Sequence, residues 1–203
     1  MEDYEIAKEY IKGKRDDVLT NDEACMATAI VWALRSKDPS TQVGACFVNT
    51  EGRIISAGYN GTPKGWNDDE FPWLNDTSIG YENTKYPYVI HAEVNGIMNY
   101  SGPLSDFRGS TLYVTLFPCS DCARYLASVG VKKIVYLNDD RKYSKDGSLD
   151  TNNKCSKILL KQSGIEYVSF NDIKSASFEG IDLSLDDTKN TLIKRHVKIR
   201  KKY

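Results

Sequence analysis

Two short motifs constrain this chain more than anything else in it. The first is His91-Ala92-Glu93, and the second, after one intervening apolar segment, is Pro118-Cys119-Ser120-Asp121-Cys122. A zinc centre that does chemistry keeps three protein ligands, leaves a fourth position for water, and has a carboxylate nearby that is not itself a ligand. His91, Cys119 and Cys122 supply the three ligands and Glu93 the carboxylate, so any fold has to bring the two segments together. Cys119 and Cys122 stand i and i+3 on the first turn of a predicted helix, with Pro118 suited to its start, and both sulfurs project to one side. His91 also falls at or just before a helix start. The positive ends of two helices facing the site favour thiolate over thiol. Two thiolates and a neutral imidazole balance Zn²⁺, which makes the metal a weaker acid and puts more weight on the base beside it.

The rest of the composition narrows the setting. A chain of 203 residues with 40% hydrophobic content buries one good core. We therefore expect one domain over residues 1–170, followed by a charged extension over 171–203. A formal net charge of −1 gives no overall basic field for holding phosphates, so no nucleic-acid partner is expected. No opening run reads as a signal peptide and no stretch approaches the ~18 apolar residues of a membrane span, so a cytoplasmic protein with no membrane contact is expected. The five cysteines are an odd number, and the C-x-x-C points to metal rather than to a disulfide framework. Cys25, Cys46 and Cys155 fall at apolar positions and read as small hydrophobes.

In chain order, the segment through Arg15 reads as a short helix or arm. Thr20-Asn21-Asp22-Glu23 has the form of a capping box and opens a helix that ends before Asp38-Pro39. Val43–Asn49 and Arg53–Ala57 form a hairpin around Glu51-Gly52. From Gly58 to Tyr88 the chain is irregular and long enough to be functional, and its Trp66, Phe71, Trp73, Tyr81, Tyr86 and Tyr88 argue against disorder. A helix follows from His91 until Gly102-Pro103, then a strand over Thr111–Phe117, the second motif's helix to Gly130, a strand over Ile134–Leu137, a helix over Cys155–Leu160 and a strand over Ile165–Phe170. This alternation predicts a layered α/β domain.

H-x-E followed by P-C-x-x-C is the signature of zinc nucleobase deaminases. Water acidified by the metal would attack the amidine carbon of a base, while Glu93 carries its proton to the ring nitrogen and then to the departing amine.

Further stretches carry a closer likeness: Ser36-Lys37-Asp38-Pro39, Gln42-Val43-Gly44-Ala45, Gly58-Tyr59-Asn60-Gly61-Thr62-Pro63-Lys64-Gly65, Asp68-Asp69, Pro72-Trp73 and Lys85 to Glu93. From Asp22 to Phe170 the chain resembles the deoxycytidylate deaminase family, a branch of the cytidine deaminase fold. The resemblance implies a three-layer α/β/α sandwich around a five-stranded mixed sheet and conversion of dCMP to dUMP and ammonia, supplying dUMP for thymidylate synthesis. It also implies a homo-oligomer, often a hexamer, activated by dCTP with Mg²⁺ and inhibited by dTTP. His91, Cys119 and Cys122 would hold zinc and Glu93 would shuttle the proton. Asn60 would hold the sugar, and Ala92 and Tyr143 would also meet the substrate. Lys37, Asn60, Gly61, Lys64 and Gly65 would mark the regulatory nucleotide. Some relatives carry a second zinc in the long loop, but Gly65 to Tyr88 offers neither Cys nor His, so one Zn²⁺ per chain is expected. Arg35, Lys64, Arg124, Arg141 and Lys142 are all eligible for the substrate phosphate. The basic run Lys194 to Lys202 reads as a solvated tail or a contact site. Rival readings are a tRNA adenosine deaminase, a deaminase of another cytosine nucleoside or nucleotide, and a non-catalytic nucleotide-binding accessory protein of the competence type.

Overall fold

A computed structural model of the chain describes residues 18–140 and 150–173, and its regular elements lie in one compact unit, Asn21–Lys174. The expected N-terminal arm, Arg141, Lys142, Tyr143 and almost all of the C-terminal extension lie outside the described residues. Helix α1 (Asn21–Ala33) precedes the hairpin β1 (Gly44–Val48) and β2 (Ile54–Tyr59). After the long segment come α2 (Ala92–Met98), β3 (Thr111–Leu116), α3 (Ser120–Val129), β4 (Lys133–Asn138), α4 (Thr151–Gln162) and β5 (Glu166–Ser169). The strands form one sheet in the order β2-β1-β3-β4-β5. β1 is antiparallel to both β2 and β3, whereas β3, β4 and β5 are parallel, so the sheet is mixed as expected. Among the described residues, no helix is long and apolar enough to cross a membrane.

Strand periodicity sorts the core into two layers. Ala45 and Phe47 of β1, Leu112 and Val114 of β3 and Ile134 of β4 join Ala92, Ala123, Leu126 and Leu160 from α2, α3 and α4 on one face. The alternate residues meet α1 on the other face: Tyr113 donates its hydroxyl to Asp22, and Gly44 lies so close that a Cβ there would stand 1.9 Å from the Ala29 carbonyl oxygen. Phe47, Phe107, Phe170, Met26 and Ile30 are fully buried. Burial of each side chain of this kind stabilises the fold by roughly 1.5–3 kcal/mol.

One close approach sets the position of α2. A Cβ on Gly58 would stand 2.3 Å from the Gly96 nitrogen and 2.4 Å from the Ala92 carbonyl oxygen, so β2 and α2 touch backbone to backbone. β2 accordingly runs through Gly58 and Tyr59, two residues beyond the end that strand propensity suggests. At the far end of α3, Gly130 adopts a left-handed conformation (φ 85°) and caps the helix where the sequence places its stop.

The segment from Gly61 to Ile90 is ordered by its own contacts. Gly61 and Ile90 exchange two backbone hydrogen bonds, at 3.0 and 2.9 Å, which close its neck. Inside it, Trp66 packs edge-on against Phe71 and Tyr88 with centroids 5.1 and 5.0 Å apart, and Phe71 meets Trp73 at 4.5 Å. The aromatic residues thus build a small satellite core.

Candidate active site

The parallel strands β3 and β4 end at the same sheet edge where β1 begins and β2 ends. Loops leaving that edge carry both motifs. His91 is the N-cap of α2 and Cys119 the N-cap of α3, while Cys122 sits three residues into α3. Pro118 therefore precedes the cap rather than opening the helix. The cap geometry brings Cys119 Sγ to 3.5 Å from the Cys122 backbone N–H, which donates to it. His91 Nδ1 lies 3.4 Å from Cys119 Sγ and 3.3 Å from Cys122 Sγ.

These three side chains form a cluster whose ligand atoms all lie within 4.8 Å of one another, the one such group found among the described residues. Zinc bonded tetrahedrally at about 2.3 Å to sulfur and 2.0–2.1 Å to nitrogen spaces those atoms about 3.6 Å apart. The observed separations match, so the donor set fits a zinc ion with three protein ligands. The two thiols are electrostatically unlike. Hydrogen bonding from Cys122 brings the Cys119 thiol down to about 3 against the effect of burial, with His91 assisting. Cys122 is raised by donating that bond and by burial.

Glu93 is 4% exposed, on the first turn of α2. Burial raises its carboxyl above the ordinary carboxylate range; His91 opposes the shift and Cys119 adds to it. A buried carboxyl raised in this way holds a proton more readily than an ordinary carboxylate, as a group that takes up and returns protons requires.

A cleft of about 800 Å³ opens on this cluster, with His91, Ala92, Glu93 and Cys119 in its wall. Asn60 lines it as well, but its amide is engaged on both sides. Oδ1 accepts from Val43 N–H at 2.8 Å, and Nδ2 donates to Thr41 O at 2.9 Å and to Asp38 Oδ2 at 3.2 Å. Two lining residues that pattern reading overlooks are Asp38 and Lys85, which form a buried ion pair with Lys85 Nζ 2.7 Å from both carboxylate oxygens. Both stand within the motif stretches, yet nothing local in the sequence pairs residues 47 positions apart.

The remaining expected residues separate. Lys37 and Gly61 line a second, smaller pocket of about 290 Å³ with Arg35, Tyr59, Thr62, Asp68, Trp73 and Asn95. There Lys37 pairs with Asp68, and the Arg35 guanidinium lies 5.4 Å from the Tyr59 ring centre. Asn60, Lys64 and Gly65 do not line that pocket. Gly65 is in a left-handed turn (φ 95°) with open space around it. Of the cations eligible for a phosphate, Arg124 is exposed and paired with Asp121, and Arg35 faces the second pocket.

Residues 19–138 match the family described as the cytidine and deoxycytidylate deaminase zinc-binding region. The deoxycytidylate deaminase of Mus musculus is 43% identical over 157 residues, covering 77% of this chain and 83% of that protein. That of Homo sapiens is 41% identical over the same shares. Among solved structures, the dCMP deaminase of cyanophage S-TIM5 in complex with dCMP and dUMP superposes with a TM-score of 0.55 at 28% identity, covering 78% of this chain and 100% of that one.

Proposed function

Because the chain belongs to the cytidine and deoxycytidylate deaminase zinc-binding family, we propose that it is a deaminase that hydrolyses dCMP to dUMP and ammonia. The observation that carries this reading is the buried Glu93 carboxylate beside a His91, Cys119, Cys122 cluster at the floor of a nucleotide-sized cleft. Bound zinc would supply Lewis acidity that lowers the pKa of an attacking water. Glu93 takes the proton of that water and delivers it to the ring nitrogen of cytosine. It then takes the second proton from the hydroxyl newly bonded to that carbon and passes it to the amine, so that the C–N bond breaks, the carbonyl forms and ammonia departs. Ala92, at the start of α2 in the cleft wall, meets the base through its backbone, and Asn60 meets the sugar. Tyr143 is proposed as a further substrate contact on the family resemblance alone.

Regulation is proposed at the second pocket. Arg35 and Lys37 are the cations there, and Gly61 leaves room for close approach of a ligand to the backbone. The ligands are dCTP with Mg²⁺ as activator and dTTP as inhibitor. A cytoplasmic homohexamer supplying dUMP for thymidylate synthesis completes the reading, supported by the family resemblance.

The test is ammonia release from dCMP by zinc-loaded protein, with and without dCTP and Mg²⁺. Turnover of dCMP well above that of deoxycytidine or of a tRNA anticodon stem is expected. Zinc-replete protein without dCMP turnover would refute the assignment. A dCMP rate curve unmoved by dCTP and dTTP would remove the regulatory part alone.

A further inference from the structure

Asp38 accepts hydrogen bonds from five directions: twice from Lys85 Nζ at 2.7 Å, from Ser40 N–H at 2.8 Å, from Thr41 N–H at 3.2 Å and from Asn60 Nδ2 at 3.2 Å. Its side chain is 2% exposed and that of Lys85 7%. A carboxylate so saturated is not offering itself to substrate, although it lines the cleft. Its remaining influence runs through Asn60.

The Asn60 amide has one allowed orientation. If it were flipped, Nδ2 would face the Val43 N–H, donor against donor, and Oδ1 would face the Asp38 carboxylate and the Thr41 carbonyl, acceptor against acceptor. In the observed orientation both Nδ2 hydrogens are spent, and Oδ1 keeps one lone pair. Asn60 can therefore present only an acceptor to the cleft, and an acceptor selects a ligand group that donates. A deoxynucleotide 5′-monophosphate has one sugar hydroxyl, the 3′-OH. Lys85 supports the arrangement in a second way, since its ammonium cancels an Asp38 charge that would otherwise repel an incoming phosphate.

We infer that the buried Asp38–Lys85 pair is a positioning device that locks Asn60 as a hydrogen-bond acceptor and so makes the site select a nucleotide with a free 3′-hydroxyl. This inference rests on the dCMP reading above. The pair acts through Asn60 and touches no reacting atom.

The experiment compares kcat/KM for dCMP and for 2′,3′-dideoxycytidine 5′-monophosphate in three proteins: the unsubstituted chain, Asp38→Asn, and the double variant Asp38→Asn with Lys85→Met. The double variant leaves no uncompensated buried charge and so guards against simple loss of folding. Zinc content and thermal midpoint are measured for each. The unsubstituted chain should prefer dCMP by about ten- to a hundredfold, the range a lost buried hydrogen bond supports. In the variants the preference should shrink to less than about threefold, mostly through slower use of dCMP, because Asn60 loses the Asp38 carboxylate and is held by the Val43 and Thr41 backbone contacts alone. Equal use of the two nucleotides by the unsubstituted chain, or full preference retained in a folded, zinc-replete variant, would overturn the inference. Failure of the unsubstituted chain to use dCMP at all would overturn the parent reading with it.

Discussion

Cys122 Sγ sits 3.3 Å from His91 Nδ1 although 31 positions separate them in the chain. A metal bound between them therefore joins the start of α3 to the start of α2 and closes a long stretch of chain.

Removing the metal should loosen both helix starts. Zinc binds the folded arrangement and not a dispersed set of ligands, so chelation should lower the thermal midpoint by about 5–15 °C at zinc levels of 100 to 1,000 times the dissociation constant. Differential scanning calorimetry before and after dialysis against a chelator measures this, and zinc, not magnesium, should restore the midpoint.

Glu93→Gln keeps the shape of the side chain and removes its basicity. Zinc content should stay at one per chain, while kcat for ammonia release falls by about 10²–10⁴-fold with a smaller change in KM. Full activity in this variant would rule out Glu93 as the proton carrier.

The burial that raises the Glu93 carboxyl also links stability to pH. The folded state holds this proton more tightly than the unfolded chain does. Its stabilising effect is therefore complete below the unfolded pKa and is lost as pH rises through the higher, folded one. Metal-free Glu93→Gln, which cannot ionise, should match metal-free unsubstituted protein in acid and exceed it in stability at pH 8. Urea unfolding of both proteins across that range tests the sign.

At Gly58 an added methyl would lie 2.3 Å from the Gly96 nitrogen. Gly58→Ala should cost about 1–3 kcal/mol in stability, in line with overpacked cores. Because α2 carries Glu93, kcat should drop as well. A variant with unchanged midpoint and kcat would mean that helix and strand can part freely there.

What could be read from the sequence follows the range of the interactions involved. The clustering of His91, Cys119 and Cys122 beside the buried Glu93 was legible because each motif packs its candidate residues into three or five consecutive positions, and helix geometry does the rest. The layered α/β domain was legible from the alternation of helix and strand, and its mixed sheet from the family resemblance alone. The Asp38–Lys85 pair was not, since a tertiary ion pair leaves no periodic trace. The division of labour at Asn60 and Gly61 was hidden for a related reason. Asn60 lines the catalytic cleft while Gly61 lines the second pocket, and only the path of the backbone between the two cavities separates these neighbours. The site of Cys119 at the cap instead of inside the helix shows that helix starts read from Pro are good to about two residues.

The two backbone hydrogen bonds that tie Gly61 to Ile90 make the segment between them a cassette hung from a fixed hinge plate. Lengthening such a loop costs only about 0.6 kcal/mol per doubling. Thr62, Asp68 and Trp73 in this cassette face one cavity, and Asn75 and Tyr81 face the other. Grafting a different cassette onto the same hinge would thus exchange ligand preference at both cavities together, while His91, Glu93, Cys119 and Cys122 stay on the frame outside it.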